Sequence, residues 1–407
     1  MLERIERGSL RIKVQNGELH TFGPGDDPSS YIEIKSDTFW VRLLLFADMI
    51  IILNRSQLSN ASTISSGAFN SLTSFIRSTN TLPNSLLNAA AHYDISNDMF
   101  AAFLTPDMTY SCAIFDTSAM DFDLEAAQYR KLNKIISLAK IKYTDHVLEI
   151  GTGWGSFAME VVRRTGCKVT SLTLSVEQKV LAEKRIAAAG MENDIMVLLC
   201  DYRAIRTPEK RFDKVVSIEM LEAVGKEYLE TYFETINRLL KPEGGIAVFQ
   251  CITMPEAVST LYSLTQIAVD LIKPKQRHED YTKGNDFLRK YIFPGGYLPS
   301  NTQLVSSISK GSSGSLVLES VDNIGGHYVR TLRIWRENFL GNFDSQIAPA
   351  LKRQHPIMSN TDVEIFKRKW VYYFTYCEAG FKAKILNDII FSVGREGATE
   401  LYEGIPL

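Results

Sequence analysis

Glu149, Gly151, Gly153 and Gly155 occupy alternate positions in the stretch His146 to Gly155, HVLEIGTGWG. The apolar run before the first glycine, bounded by Thr144-Asp145, suits a buried parallel strand, and Ser156 to Arg164 reads as a helix. A glycine turn between strand and helix lets backbone N–H groups approach a ligand closely. The partly positive helix N-terminus favours polar or anionic groups at the same place. The implied chemistry is nucleotide-type binding, with a plain structural turn as the alternative. The GxGxxG fingerprint of a dinucleotide site would need a glycine at position 156, where Ser156 stands.

The elements that would hold such a ligand follow the turn. Apolar strands at Lys168–Thr173, Ile195–Cys200, Lys214–Ile218 and Ile246–Cys251 alternate with helices over 156–164, 176–189 and 226–240. The alternation predicts a parallel doubly wound α/β sheet with its ligand crevice at the strand C-terminal ends. Thr173, Asp201, Glu222 and Gln250 fall on that edge together with the glycine turn. Strands near 315–320 and 389–394 extend the sheet beyond a helical insertion. Residues 9 to 35 read as a small β unit, with Leu10-Ile12-Val14 alternating, Asn16-Gly17 as a hairpin turn and Tyr31 to Ile34 as another strand. The expected domains are 1–85 and 86–407, the second with its α/β core at 146–252 and a helical, C-terminal part at 253–407.

With 45% hydrophobic and 23% charged residues, the 407-residue chain is globular and large enough for more than one domain. A net charge of −2 provides no global basic field for nucleic acid. Cys112, Cys167, Cys200, Cys251 and Cys377 lie far apart and the histidines do not cluster, which argues against a metal site or disulfides and for a reducing compartment. The first residues, MLERIERGSLRIK, lack the apolar core of a signal peptide. Phe39 to Leu53 is interrupted by Arg42 and Asp48 and reads as a buried helix. The expected location is cytoplasmic, peripheral to membranes.

The spacing Glu149-x-Gly151-x-Gly153-x-Gly155 is that of the S-adenosylmethionine (SAM) loop of class I methyltransferases. Four stretches then resemble the cyclopropane-fatty-acyl-phospholipid synthase family, particularly its fungal and plant-type members. They are AHYDISNDMF with MTYSC (91–100, 108–112), VLEIGTGWG with TLSVEQ (147–155, 173–178), DYR with SIEMLEAVG (201–203, 217–225), and YIFPGGYLPS with YYFTYCEAGF (291–300, 372–381). The resemblance implies a Rossmann-like methyltransferase sheet with a helical cap and a small N-terminal domain. It implies transfer of a methyl or methylene group from SAM to the double bond of an unsaturated phospholipid acyl chain. Peripheral membrane contact and a second copy of the chain as partner come with it. Other acceptors stay open, such as a small amine, and so does a catalytically silent lipid- or SAM-binding module.

By the same resemblance Gly151, Gly153 and Gly155, with Glu149 and Trp154, hold the methionine end of SAM. Thr173, Leu174 and Gln178 lie near the ribose, Asp201 and Tyr202 near the adenine, and Tyr110-Ser111 close over the methionine moiety. Bacterial members hold a bicarbonate ion with a Cys, a Glu, a His, a backbone amide and a Tyr, which map onto Cys112, Glu222, Gln250, Ile252 and Tyr291. The bacterial histidine is Gln250 here, and the histidine after the glutamate is Ala223. A glutamine amide donates to an oxyanion but carries no proton, so Glu222 becomes the stronger candidate for the proton-handling group. Cys377 matches a cysteine often marked as active in the family, although a lone cysteine on an aromatic helix also reads as a small core residue. Glu222 also reads as a helix cap, Tyr291 as core, His92 as structural, and Tyr372, Tyr373, Phe374 and Tyr376 mostly as core.

Two departures break the resemblance. A segment is missing where Met49 joins Ile50, and Val258 to Gln276 is inserted. The insertion places Val258, Leu261, Leu264, Ala268, Leu271 and Ile272 near one helical face, as a lid or membrane-contacting helix would. Because Val-Ser and Gln are encodable by splice-signal sequences at its two ends, a translated intron is the preferred reading.

Overall fold

A computed structural model describes residues 9–13, 19–22, 29–33, 80–93, 95–116, 122–256, 278, 281–282 and 286–406. The Asn16-Gly17 turn, the Phe39 to Leu53 helix, the Met49-Ile50 junction and the Val258–Gln276 insertion lie outside the described residues. The chain divides into two compact units, Met1–Ala68 and Phe69–Leu407. In the first, β1 (Ser9–Lys13) pairs antiparallel with β2 (Leu19–Phe22) and parallel with β3 (Ser29–Glu33).

In the second unit a seven-stranded sheet has the order β6-β5-β4-β7-β8-β10-β9. Its strands are β4 (His146–Ile150), β5 (Lys168–Thr173), β6 (Ile195–Leu199), β7 (Lys214–Ile218), β8 (Ile246–Thr253), β9 (Val317–Asn323) and β10 (Asn387–Gly394). The first five are parallel, as the alternation of strand and helix requires. The two further strands expected beyond the core join it as β9 and β10, with β10 antiparallel to β8 and β9 antiparallel to β10, so the whole sheet is mixed. The reason lies in the connection, because the helices between β9 and β10 return the chain to the edge from which β9 ends rather than crossing back over the sheet.

Side chains alternate between two hydrophobic clusters, one for each face of the sheet. Ala247, Phe249 and Cys251 of β8 join Ile389, Phe391 and Val393 of β10 in one cluster, while Ile246, Val248 and Ile390 join the other. The first cluster is covered by α6 (Leu229–Leu239) and α8 (Asn301–Gly311). Leu229, Tyr232, Phe233, Ile236 and Leu239 form the buried stripe of α6 at helical spacing. The second cluster holds α3 (Leu124–Leu138), α4 (Ser156–Thr165), α9 (Tyr328–Asn342) and α11 (Asn360–Lys382). Arg333 and Arg336 of α9 clamp Glu378 of α11 at 2.7 and 2.9 Å. A capping box between Ser359 and Asp362 starts α11.

Before the sheet come α1 (Leu82–Tyr93) and α2 (Asn97–Ala101), and the described residues between Ala102 and Asp123 are not helical. There the described backbone is irregular, and Met108 takes a φ of 58° just ahead of Tyr110. The remaining helices are α5 (Val176–Ala188), α7 (Phe287–Tyr291) and α10 (Ala348–Gln354).

Because β10 joins two strands and carries a site residue, its packing matters to function as well as stability. Phe391 is fully buried and stacks on Phe249 with ring centroids 5.1 Å apart. Phe391→Ala should cost about 3–5 kcal/mol, the usual range for removing a buried aromatic ring. A shifted urea midpoint with an unchanged slope would show it, and a midpoint at the wild-type value would contradict this packing.

Candidate active site

The glycine turn forms at the C-terminal end of β4. Gly151, Gly153 and Gly155 have φ values of 106°, 52° and 88°, a region that L-residues with side chains adopt at a cost. A Cβ on Gly153 would meet nothing within 4 Å, so the space beside that residue is open to a ligand. Glu149 is buried next to the turn, accepts from Ser171 Oγ at 2.5 Å, and is pushed up to about 8 by burial. Trp154 is buried and donates through Nε1 to Asn97 Oδ1 at 2.7 Å. Thr173 Oγ1 donates to Gln178 Oε1 at 2.8 Å, and Leu174 beside them is half-buried. Asp201 receives Arg203 through both carboxylate oxygens at 2.7 and 2.8 Å, and Arg203 also donates to the Asn80 carbonyl and to Ser85 Oγ. Tyr202 packs edge-on against Tyr232. These residues therefore line one strand edge, already fixed by their own hydrogen bonds.

The turn after β7 lies against the glycine loop, since a Cβ on Gly151 would meet Met220 Cβ at 3.3 Å. This turn begins at Glu219, whose φ of 48° is unusual for a residue with a side chain. Glu219 Oε1 accepts from the Cys112 N–H at 2.8 Å and from Gln250 Nε2 at 2.7 Å, and Tyr328 OH donates to its Oε2 at 2.5 Å. Gln250 Nε2 also reaches Asp388 Oδ2 at 2.7 Å. The strand register explains that bridge, because Gln250 pairs with Ile390 and Ile252 with Asp388, which places all four side chains on one face. Glu222 Oε1 accepts from the Ile252 N–H at 2.5 Å, while its Oε2 is enclosed and has no hydrogen-bond partner. Burial, then the charge of Glu219, pushes the Glu222 carboxyl up to about 8. Burial and Glu219 likewise push the Asp388 carboxyl up.

A single cation serves this group among the described residues. Lys131 of α3 is completely buried, donates to Ser111 Oγ at 2.6 Å, and interacts with Glu219, Asp388 and Glu149. Burial lowers its proton affinity and these carboxyls restore it in part. Gln128, one turn earlier, donates to the Ser111 carbonyl at 2.8 Å. Thus α3 fixes the Tyr110-Ser111-Cys112 strip from beneath. Tyr110 OH pairs with Tyr373 OH at 2.9 Å, and its ring stacks on His92. His92 is itself buried and lowered to about 4 by that burial, so it is neutral and holds the Ile292 carbonyl through Nδ1. Tyr93 sits close enough to Glu222 and Glu219 for their charges, after burial, to raise it further.

The structure thus brings Cys112, Glu222, Gln250 and the Ile252 amide together, and separates Tyr291 and Cys377 from them. Tyr291 is 43% exposed, flanked by the ammonium groups of Lys290 and Lys369. Cys377 lies buried in α11, and burial pushes its thiol far above the range in which a thiolate forms. Cys112 is raised by burial in the same way, so what it offers the site is its backbone N–H. Tyr373 and Phe374 are core, while Tyr372 and Tyr376 stack on each other and are half-buried. Glu219, Asp388, Tyr328 and Lys131 were not singled out from sequence. Signals existed for two of them: SIEMLEAVG carries a second glutamate, Glu219, and Lys131 falls with Gln128 on the buried stripe of α3.

The family model of mycolic acid cyclopropane synthetase matches residues 81–390, the span that contains all of these groups. The chain belongs to that family. A tuberculostearic acid methyltransferase of Mycobacterium tuberculosis is 38% identical over 315 residues, covering 76% of this chain and 65% of that protein. A cyclopropane-fatty-acyl-phospholipid synthase of Escherichia coli is 33% identical over 307 residues, covering 75% of this chain and 67% of that protein. The chain therefore matches about two thirds of the length of these relatives. A solved mycolic acid cyclopropane synthase in complex with SAH and CTAB superposes with a TM-score of 0.62 at 25% identity, over 76% of this chain and 98% of that one. The fold is that of a class I SAM-dependent methyltransferase, and the open space at Gly153 fits SAM as the ligand of this synthetase-family chain.

Gly153→Leu tests the loop. A side chain in the left-handed region costs about 1–2 kcal/mol and would project into the open space, so SAM affinity should fall at least tenfold with the fold intact. Calorimetric titration with SAM that returned the wild-type affinity would remove the loop from the binding site.

Proposed function

We propose that the chain transfers the methyl group of SAM to the cis double bond of an unsaturated phospholipid acyl chain, giving a cyclopropane or a methyl-branched chain. The observation that carries this reading is the enclosed, unpartnered Glu222 Oε2 beside the glycine loop. When bound, SAM supplies a methyl on a positively charged sulfur. Attack of the alkene π electrons on that methyl would break its bond to sulfur, release S-adenosylhomocysteine and leave a carbocation on the lipid. Glu222 Oε2 takes a proton from the transferred methyl, and the freed C–H electron pair closes the ring. The carboxylate of Glu219 supplies fixed negative charge near a transient cation, and aromatic walls from Tyr93, Phe100, Tyr110 and Trp154 exclude water that would trap it.

A cavity of about 250 Å³ next to His92 supports a lipid acceptor over a small amine. It is lined mainly by apolar groups, including Ile95, Ile292, Met358, Phe366 and Trp370, with Lys369 among them. An acyl chain matches such walls, and a partly buried ammonium suits the phosphate of a phospholipid. The substrate implies peripheral contact with a membrane, and among the described residues no helix is long and apolar enough to cross one.

Incubation with labelled SAM and vesicles of mixed unsaturated phospholipids, followed by mass spectrometry of the fatty chains, tests the reading. Chains heavier by one methylene or methyl unit are expected. Label on a small amine instead, or on nothing, would defeat it.

Glu222→Gln should leave SAM affinity within about twofold and lower kcat roughly a hundredfold or more, the scale of a positioned acid–base group. In the wild type the free carboxyl is protonated below about 8 and ionised above it. Only the ionised form accepts a proton, so kcat/KM should rise with pH and level off above that value. A flat profile from pH 6 to 9 would exclude Glu222 as the base.

A further inference from the structure

The bicarbonate ion implied by resemblance does not fit the residues assembled here. Of the donors that would hold it, the Cys112 N–H and Gln250 Nε2 already meet Glu219 Oε1, and the Ile252 N–H already meets Glu222 Oε1. Tyr291 stands apart, in the wall of the cavity beside His92. Electrostatics points the same way. Glu219, Glu222 and Asp388 share the space with Lys131 as their one buried cation among the described residues, and burial with few compensating charges disfavours a further anion as it disfavours ionisation of these carboxyls.

We propose that the Glu219 carboxylate stands where a bound anion would, so that this chain needs no inorganic anion, and that Glu219 acts as a positioning residue for Glu222. The backbone supports the assignment. A φ of 48° turns the Glu219 side chain back toward the Cys112 amide instead of along the strand, and three donors hold it there. A residue kept in an unfavourable conformation by three hydrogen bonds is over-determined by its surroundings, which marks sites where strain serves function. Gln250 suits this role better than a histidine, because one amide NH₂ group spans both Glu219 and Asp388. Glu219 fixed as the charged member then leaves Glu222 Oε2, with no donor of its own, as the oxygen free to receive a proton. The groups that face Glu222 are Glu219 on its own turn, Cys251 on β8, Asp388 on β10, Tyr93 on α1 and Tyr232 on α6. Of these, Glu219 is the carboxyl held by the most hydrogen-bond donors.

The test titrates the SAM-bound protein with carbon-13 bicarbonate and follows the bicarbonate resonance by NMR, a measurement that needs no acceptor and so stands apart from the lipid reading. The wild type should show no binding at millimolar concentration. Glu219→Gly keeps the backbone conformation accessible and frees the Cys112 and Gln250 donors, so this variant should bind the ion. Where lipid turnover is measurable, wild-type rates should be the same in carbon dioxide-free buffer and with bicarbonate added, while Glu219→Gly should regain activity with bicarbonate. Glu219→Gln keeps the side-chain volume and removes the charge. Its rising limb of kcat/KM should move about one unit toward lower pH, the size expected when a neighbouring like charge is removed. Bicarbonate binding by the wild type, or loss of its activity when carbon dioxide is stripped and recovery when it is restored, would overturn the proposal. So would a Glu219→Gln profile that coincides with the wild type while SAM affinity shows the variant to be folded.

Discussion

One buried ammonium group, Lys131, serves Glu219, Asp388 and Glu149, and the rest of the site follows from that imbalance. Lys131 can compensate about one negative charge, so the remaining acids must keep protons or find donors. Glu219 finds donors on three elements, while burial pushes Asp388 up and raises both Glu149 and Glu222 to about 8. A group poised near the pH at which it works is what proton transfer requires, and for Glu222 the poise comes first from burial and then from the neighbouring Glu219. Removing the cation would therefore disturb every carboxyl at once, which is why Lys131, remote from the glycine loop in sequence, belongs to the same electrostatic unit.

The sheet makes this crowding possible. β4 contributes Glu149, β7 leads into Glu219 and Glu222, β8 carries Gln250 and β10 carries Asp388, so the acids converge at neighbouring ends of adjoining strands. In a purely parallel sheet each strand would reach that edge from the same direction. The antiparallel β10 arrives from the opposite side, and its first residues, not its last, lie at the ligand edge. That inversion lets Asp388 sit beside Gln250 within one hydrogen bond.

The glycine loop and the five parallel strands were readable from sequence because each rests on local chemistry: apolar runs, glycine at fixed offsets, and helix-forming stretches between them. The strip Tyr110 to Cys112 and Glu222 were readable by family likeness. Glu219 was not, although it stands three residues from Glu222, because nothing in SIEMLEAVG says which glutamate turns inward; the backbone φ decides that. Lys131 was missed for a related reason. A lysine on an amphipathic helix is ordinarily placed at the solvent edge of the stripe, and its burial makes sense only once acids from β4, β7 and β10 are seen to surround it. Asp388 depended on the direction of β10, which alternation of strand and helix could not supply.

β10 is last in chain order among the described strands, yet it lies inside the sheet, between β8 and β9. During synthesis the five parallel strands can assemble as they emerge, whereas β9 has no partner until β10 is made. Its exposed Val317 and Val321 then belong to a strand with two open edges, the arrangement that favours pairing with a second chain. The same late strand delivers the final carboxyl to the cluster. Assembly order thus delays the complete acid group until the sheet is closed, so a chain whose glycine loop has already formed still lacks Asp388 beside Gln250.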